Sequence, residues 1–423
     1  MTKKKVIVVG GGFAGLQLVR HLDEKLFDIL LIDKVNHHQF QPLFYQVATS
    51  QVEPSAISFP LRHVFKKKKN LQIRLAEVYA IDRTQKTIQT TIGTFEYDYL
   101  VLAMGGKTNF FGNEKIEKNA FTLKTTYDAI TIRNHILEIF EKILSASEAE
   151  KEYLRNIVIV GGGPTGVELA GAFAEIKKHI LPRDYKRIDF SKLKIILIEG
   201  SKYTLKSMSN LARKSSVDFL NRMGVELRME EFVTDYDGNE LILKSGKIIK
   251  TKTVIWSAGI IANIIPGIPK EVLGRGNRVK VNRQNRLMNE EVVFVLGDMA
   301  FMRTTKYPQG HPQLANVAIN QAKLLAKNLR AMQYGKPLKE YEYKDLGAMA
   351  TFGRNNAVVD LPFVNFSGFW AWLVWTFLHL MLILSTKNKL FIFIDWAWAY
   401  ITKDTSLRLI LKENKSAACR EKQ

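Results

Sequence analysis

"KKVIVVGGGFAG" (4–15) and "RNIVIVGGGPTG" (155–166) decide the fold of this 423-residue chain. Each is a run of β-prone residues that ends in Gly-x-Gly-x-x-Gly and opens onto a helix-compatible segment. In such a loop the first glycine makes the tight turn, the second lets the backbone approach a pyrophosphate, and the third lets helix and strand pack closely. The free N–H groups and positive dipole end of the following helix then face the phosphates. The glycines are Gly10, Gly12 and Gly15 and, 151 residues after Gly10, Gly161, Gly163 and Gly166. One such loop is weak evidence. Two in one chain point to two bound dinucleotides and to electrons passing from one to the other.

The same fingerprint asks for an acid roughly 20 residues on, to bind a ribose hydroxyl. "DILLID" (28–33) ends in Asp33, and "KIILIEG" (194–200) carries Glu199. The second gap is longer because a basic stretch, "KKHILPRDYKRIDFSK" (177–192), lies between helix and strand. The repeat extends to a trailing strand in each half, "DYLVLAMGG" (98–106) and "KTVIWSAGI" (252–260), both ending in small residues and glycine. A carboxylate at Glu199 favours the free 2′-hydroxyl of NAD and repels a 2′-phosphate, so NADH is expected over NADPH. Lys202 and Lys206 stand near enough to blunt that preference, and a strand-end surface acid is the plainer alternative.

Composition narrows the chemistry. The length suits two or three domains. Cys419 is the single cysteine, so no disulfide can form within the chain, and the composition suits a reducing compartment. A flavin enzyme that reduces disulfides carries a redox-active cysteine pair. Without one, a flavin here must deliver electrons straight to an acceptor. The formal charge of +21 suits nucleic acid, an anionic membrane face, or nothing in particular. The run Lys66–Lys69 is more commonly a solvated loop than a phosphate patch, and no aromatic-laced basic motif is present, so no nucleic-acid partner is expected. Met1–Lys5 run directly into a strand, which leaves no room for a signal peptide. His37 and His38 are catalytic candidates by residue type alone. No Cys or carboxylate stands at ligand spacing from them, so no metal is expected.

Along the chain, 118–152 reads as a connector and an amphipathic helix, 313–332 as a helix, and 336–361 as a hairpin. "NIIPGIPKEVLGRGN" (263–277) marks a return between domains. The stretch "FSGFWAWLVWTFLHLMLIL" (366–384) holds no charge other than a possibly charged His379, and "FIFIDWAWAYI" (391–401) follows. As one helix its nineteen residues would cover roughly 29 Å, close to the hydrocarbon core of a bilayer. Trp370, Trp372, Trp375, Trp396 and Trp398 cluster there, and Trp prefers the headgroup level. Lys387, Lys389 and Lys403 would meet anionic lipid. An in-plane anchor ranks first, a membrane span second and an apolar dimer interface third; anchor and dimer are compatible.

With two dinucleotide loops, no redox cysteine pair and this apolar end, the chain resembles the type II NADH dehydrogenases, single-chain NADH:quinone oxidoreductases that do not pump protons. The resemblance spans nearly the whole length. It is carried by "NHHQFQPLFYQVATSQVEP" (36–54), "VLAMGGKTNFFG" (101–112), "GGGPTGVELAGAFAE" (161–175), "VFVLGDMA" (293–300), "PQLANVAINQAKLLAKNL" (312–329), "YKDLGAMATFGRNNAVV" (343–359) and "LSTKNKLFIFIDWAWAY" (384–400). It implies an α/β fold of two Rossmann-like domains, one inserted in the other, plus a C-terminal helical membrane-anchoring region. The expected limits are 1–115 with 265–335 for FAD, 116–264 for NADH and 336–423 for the C-terminal hairpin and helices.

The resemblance further implies non-covalent FAD held by Gly10, Gly12, Gly15, Asp33, Gly297 and Asp298. NADH, the substrate, would lie on Gly161, Gly163, Gly166 and Glu199. The family's Ala-Gln-x-x-x-Gln at the flavin–quinone junction is here Ala315-Asn316-Val317-Ala318-Ile319-Asn320, followed by Gln321. Asn keeps the amide on a shorter side chain. Quinone contact through Asn316, Asn320 and Gln321 is therefore expected, against the alternative that these amides cap or cross-link helices. Glu168 would face the flavin as a proton relay or charge-transfer tuner; complementing the helix dipole is its plainer explanation. Hydride would pass from NADH to FAD and two electrons to a membrane quinone. The protein would be peripheral on the cytoplasmic face of the cell membrane, attached to an anionic surface and able to form a homodimer. The rivals are a soluble NADH:acceptor flavoprotein of the ferredoxin-reductase type and a redox-sensing flavoprotein.

Overall fold

The structure is a computed structural model that describes residues 2–405 and 407–411; Cys419 lies outside the described residues. The chain forms two compact units. The first comprises Met1–Gln39, Ser58–Lys107 and Ile260–Asp345, the second Phe40–Ile57, Thr108–Gly259 and Leu346–Gln423.

In the first unit a parallel sheet runs in the order Val293–Val295, Tyr99–Leu102, Lys4–Val9, Phe27–Asp33, Leu71–Leu75. Val6 to Val9 are all buried, as a central parallel strand covered on both faces requires. That explains why the strand reads as an unbroken apolar run rather than an alternating one. Helix Phe13–His21 packs along helix Ala315–Gln333. An antiparallel ribbon of Val78–Asp82, Thr87–Thr90 and Gly93–Glu96 adds Val78, Ile81 and Ile88 to the same core as Ile7, Val9 and Leu102.

The second unit repeats the plan. Its parallel sheet is ordered Val225–Met229, Lys194–Glu199, Asn156–Val160, Thr253–Trp256, beside an antiparallel ribbon of Val233–Tyr236, Glu240–Leu243 and Ile248–Lys250. The single amphipathic helix expected over 118–152 is broken into Thr126–Ser145 and Glu148–Leu154. Each piece has its own capping box, Thr125 with Asp128 and Ser147 with Glu150, so the chain restarts a helix rather than continuing one.

Two segments join this unit that the expected limits placed elsewhere. Helix Phe44–Ala48 packs against Thr126–Ser145 and against helix Pro164–His179. Of the hairpin expected over 336–361, only Ala348–Thr351 and Ala357–Asp360 pair, with Asn365–Ser367 as a third antiparallel strand. This small sheet also lies on the Pro164–His179 helix, where Gly171 faces the backbone of Phe352. The C-terminal region is therefore part of the second unit rather than a separate domain.

The apolar C-terminal stretch is not one long helix. Gly368 has φ of +90°, which ends the strand and starts helix Phe369–Leu382. Its 14 residues reach about 21 Å, too short for a bilayer core of about 30 Å. After a turn at Ile383 a second helix, Thr386–Thr402, follows. No helix among the described residues is long and apolar enough to cross a membrane, so the span considered for 366–384 is not formed. Ala371 and Trp375 turn inward, whereas Trp370, Phe377, Phe393, Trp398 and Ile401 are exposed, Ile401 by 78%. His379 stacks on Trp375 at 4.0 Å between ring centres. Burial holds it down at a pKa of about 4, so it carries no charge at neutral pH.

A Cβ at Gly171 would lie 2.6 Å from the Phe352 carbonyl group. Gly171→Ala is therefore expected to destabilise the second unit by about 1–3 kcal/mol through overpacking, read as a lowered midpoint in thermal unfolding.

Candidate functional site

The two glycine loops share one geometry. Gly10 N–H donates to Ile32 O at 2.8 Å, and Gly161 N–H to Ile198 O at 2.8 Å. Both glycines have φ beyond +100°, a region that side chains avoid. Each also presses on the trailing strand, Gly10 on Ala103 and Gly161 on Ala258. A Cβ on Gly15 would strike Gly10 O, and one on Gly166 would strike Gly161 O. Gly12 and Gly163 cap the helices that follow, and a Cβ on either would meet nothing within 4 Å. Open space lies over the helix N-terminus in both loops, as a pyrophosphate requires.

The acids close the loops. Asp33 accepts from the N–H of Gly11 and, at 2.9 Å, from that of Val35. Glu199 accepts from Gly162 N–H at 2.6 Å and Ser201 N–H at 2.7 Å. In each case the two carboxylate oxygens take one backbone N–H apiece, which leaves further acceptor sites for ribose hydroxyls. Burial raises the pKa of Asp33, and the two backbone N–H groups pull it back. Glu199 is thus tied to the second glycine loop through its backbone.

In the first unit Gly297 has φ of +65° and lies against Ala318 of the Ala315–Gln333 helix. Gln321 accepts the Gly297 N–H at 2.8 Å, and its Nε2 finds no partner among the described residues. Gln321 is only 1% exposed, so it cross-links the Gly297 turn to the helix. Asp298 is half-buried next to it, with Arg278 nearby. Asn316 bonds the Tyr343 hydroxyl through its side chain, and its Oδ1 has no partner among the described residues. Asn320, one turn on, is exposed. The three amides thus do not share a face: Gln321 follows the alternative of helix cross-linking, whereas Asn316 and Asn320 stand at i and i+4.

Glu168 is the fifth residue of helix Pro164–His179, whose first turn holds no acid. The dipole explanation therefore fails. Its carboxyl is buried in the second unit, and that burial pushes its pKa up to about 8, with the Thr351 N–H and the Trp375 indole pulling the other way. The indole N–H stops short of a close hydrogen bond, which leaves desolvation in control. Trp375 also packs on Tyr45, whose hydroxyl accepts from Gln46, and Gln46 in turn accepts the Trp396 N–H at 2.8 Å. The Phe44–Ala48 helix and the C-terminal helices thus build the wall around Glu168. A cleft runs along this wall, lined among others by Tyr45, Glu175, His179, Arg354, Trp375 and Tyr400.

His38 is buried, with Nδ1 3.1 Å from Gly11 O and its ring edge-on to Phe13. Burial lowers its pKa to about 4, so it supports the first glycine loop as a neutral ring. His37 is half-exposed at the side chain of Asn36. No group of three or more His, Cys, Asp or Glu among the described residues could hold a metal. Sequence reading passed over Glu175, His179 and Arg354. The signal was present in "VELAGAFAEIKKH" (167–179), where 168, 175 and 179 fall on one helical stripe.

Residues 4–322 match the pyridine nucleotide-disulphide oxidoreductase family, and residues 346–403 match the NDH2 C-terminal domain. A type II NADH:quinone oxidoreductase of Mycobacterium tuberculosis is 34% identical, over 95% of this chain and 89% of its own length. One from Haemophilus influenzae is 28% identical, over 86% and 91%. The solved structure of NDH2 from Plasmodium falciparum in complex with NADH has a TM-score of 0.88 at 21% identity, covering 97% of this chain and 100% of that one. A sulfide:quinone oxidoreductase from Aquifex aeolicus reaches 0.73 at 21% identity, over 91% and 92%. The last two likenesses speak for the fold; the sequence relatives and the two matched families carry the kinship. By these matches over nearly its whole length, the chain belongs to the type II NADH:quinone oxidoreductases.

Proposed function

We propose that this enzyme divides its family's reaction between its two glycine loops, the first holding FAD and the second NADH. The reaction moves two electrons from NADH to a quinone by way of FAD, without proton pumping. The observation that carries the reading of two dinucleotide sites is the paired geometry of the loops, each with open space at Gly12 or Gly163 and a clasping acid at Asp33 or Glu199. Non-covalently bound FAD supplies the hydride acceptor and the two-electron donor. Gly10, Gly12 and Gly15 present backbone N–H groups to its pyrophosphate, Asp33 takes a ribose hydroxyl, and the Gly297–Asp298 turn lies at the N-terminal end of the Ala315–Gln333 helix. Gly161, Gly163, Gly166 and Glu199 do the same for NADH, and the Glu199 carboxylate repels a 2′-phosphate. Asn316 and Asn320 offer amides to the quinone head, while Gln321 holds the Gly297 turn. Glu168, protonated at neutral pH, keeps a proton ready inside the second unit.

The enzyme is a peripheral membrane protein. The exposed aromatic and aliphatic side chains of Phe369–Leu382 and Thr386–Thr402 favour insertion into the interface, with Lys387 and Lys403 exposed nearby to meet anionic headgroups. This surface argues against the soluble ferredoxin-reductase reading. With a reducing compartment and a quinone acceptor, the cytoplasmic face of the cell membrane is the side that suits it. A homodimer through the same helices is the second reading that these exposed residues support.

Anaerobic mixing with NADH is expected to bleach the flavin, and a quinone analogue to restore its colour; no bleaching would reject the function. Gly163→Ala should leave the melting temperature unchanged, because its Cβ meets open space, yet weaken NADH tenfold or more in the bleaching titration. Replacing Trp398 and Ile401 together by Asp should cut co-sedimentation with phosphatidylglycerol vesicles at least tenfold while bleaching by NADH persists.

The raised pKa of Glu168 also sets a stability profile. The folded state holds this proton more tightly than the unfolded chain, so its stabilisation is full below the ordinary carboxylate range. It is lost as pH rises toward about 8. Glu168→Gln should abolish that loss, and melting temperatures from pH 5 to 9 should fall less in the variant than in the wild type.

A further inference from the structure

Reducing a quinone to a quinol takes two electrons and two protons. NADH delivers two electrons and one proton as hydride, so one further proton must come from water. Given the reading of Glu168 as the internal proton holder, on which this inference rests, that residue must be recharged once per turnover. Glu168 is buried at 9% exposure and cannot draw directly on solvent.

Helix Pro164–His179 itself supplies a path. Glu168, Glu175 and His179 are spaced by seven and four residues, so at 100° per residue they lie within about 20° of one line along the helix. The steps are about 10.5 Å and 6 Å. Alanine and glycine fill much of the helix between, at Ala170, Gly171, Ala172 and Ala174, which keeps the neighbouring surface low. Glu175 and His179 line the cleft along this helix. Tyr45 lines the same cleft and feels both carboxyl groups, Glu168 and Glu175, so its hydroxyl bridges the longer step.

We propose that His179 and Glu175 form the entry route by which protons from bulk water reach Glu168, with the Tyr45 hydroxyl as the link between the two glutamates. The proton passes to Glu175 at the cleft, then by way of the Tyr45 hydroxyl to the Glu168 carboxylate left after quinol formation. No other bond changes. The surroundings suit a relay. The Glu175 side chain keeps 16% exposure, is approached by the Arg354 guanidinium at 3.8 Å, and accepts the Arg354 backbone N–H at 2.8 Å. Burial raises its pKa, and the Arg354 backbone N–H and guanidinium oppose the rise. His179 is held below its ordinary pKa by burial and by Lys178, Arg354, Lys403 and Arg183. It is therefore a neutral base at the mouth, able to take a proton and release it inward. Glu175 acts through Glu168 and is a positioning and relay residue.

The test uses the flavin-loaded protein. Infrared difference spectra on transfer to D2O report the exchange of the protonated Glu168 carboxyl without any turnover, and Glu168→Gln identifies its band. Glu175→Gln and, separately, Tyr45→Phe are expected to slow that exchange tenfold or more. They should also slow reoxidation of NADH-reduced enzyme by a short-chain quinone by a similar factor, with an enlarged solvent isotope effect, while bleaching by NADH keeps its wild-type rate. In Glu175→Ala, added formate should restore reoxidation. Should Glu175→Gln fail to fold, Tyr45→Phe, which loses only a hydroxyl, decides the matter. Wild-type exchange and reoxidation in the folded variants would overturn the route, as would slowed reoxidation with no isotope effect and no formate rescue. A wild-type protein that NADH does not bleach would instead sink the proposed function.

Discussion

The contact on which both halves of this enzyme are built is one between a missing side chain and a carbonyl oxygen. Gly15 sits against Gly10 O and Gly166 against Gly161 O, so close that no Cβ could stand there. Because the helix can settle on the strand end at that distance, its first N–H groups converge over the sheet instead of over solvent. Asp33 and Glu199 then reach across from the next strand to hold the loop by its backbone. Remove the close approach and the helix tilts away, the acid loses its N–H partner, and no phosphate cradle remains. The sheets, each with strands buried on both faces, are the rigid platforms that make such tolerances possible.

A second constraint is electrostatic. Placing Glu168 among Trp375, Tyr45 and the Thr351 backbone, with no cation among the described residues at hand, makes the charged carboxylate costly and the neutral acid the resting form. The same apolar wall arises from three distant stretches of sequence: the Phe44–Ala48 helix, the small antiparallel sheet around Phe352, and the Trp375 face of the first C-terminal helix. Gly171 lets that sheet lie directly on the helix that bears Glu168. The helix that leaves Trp370 and Phe377 exposed thus turns Trp375 inward to the buried acid.

The two glycine loops, their acids and their trailing strands could be read from the chain because each is a local pattern whose spacing is imposed by strand and turn geometry. Other readings needed correction. The apolar stretch over 366–384 looked long enough to span a bilayer, but Gly368 with positive φ and the turn at Ile383 cut it to 14 residues. Hydropathy registers apolarity without backbone dihedrals. Gln321 belonged to an amide-rich motif, yet a rotation of about 100° from Asn320 turns it into the core against Gly297.

By itself the sequence determined that there are two glycine loops at strand ends, where they lie, which acids stand by them, and that the chain holds a single cysteine. These features depend on residues close together along the chain. Only the tertiary structure decided that residues 40–57 and 346–405 belong to the second unit and that Glu168 is desolvated there beside Trp375. It also decided that Glu175 and His179 open onto the same cleft. Desolvation is a sum over neighbours distant in sequence, and no local pattern encodes which side chains the fold will bring around a carboxyl group.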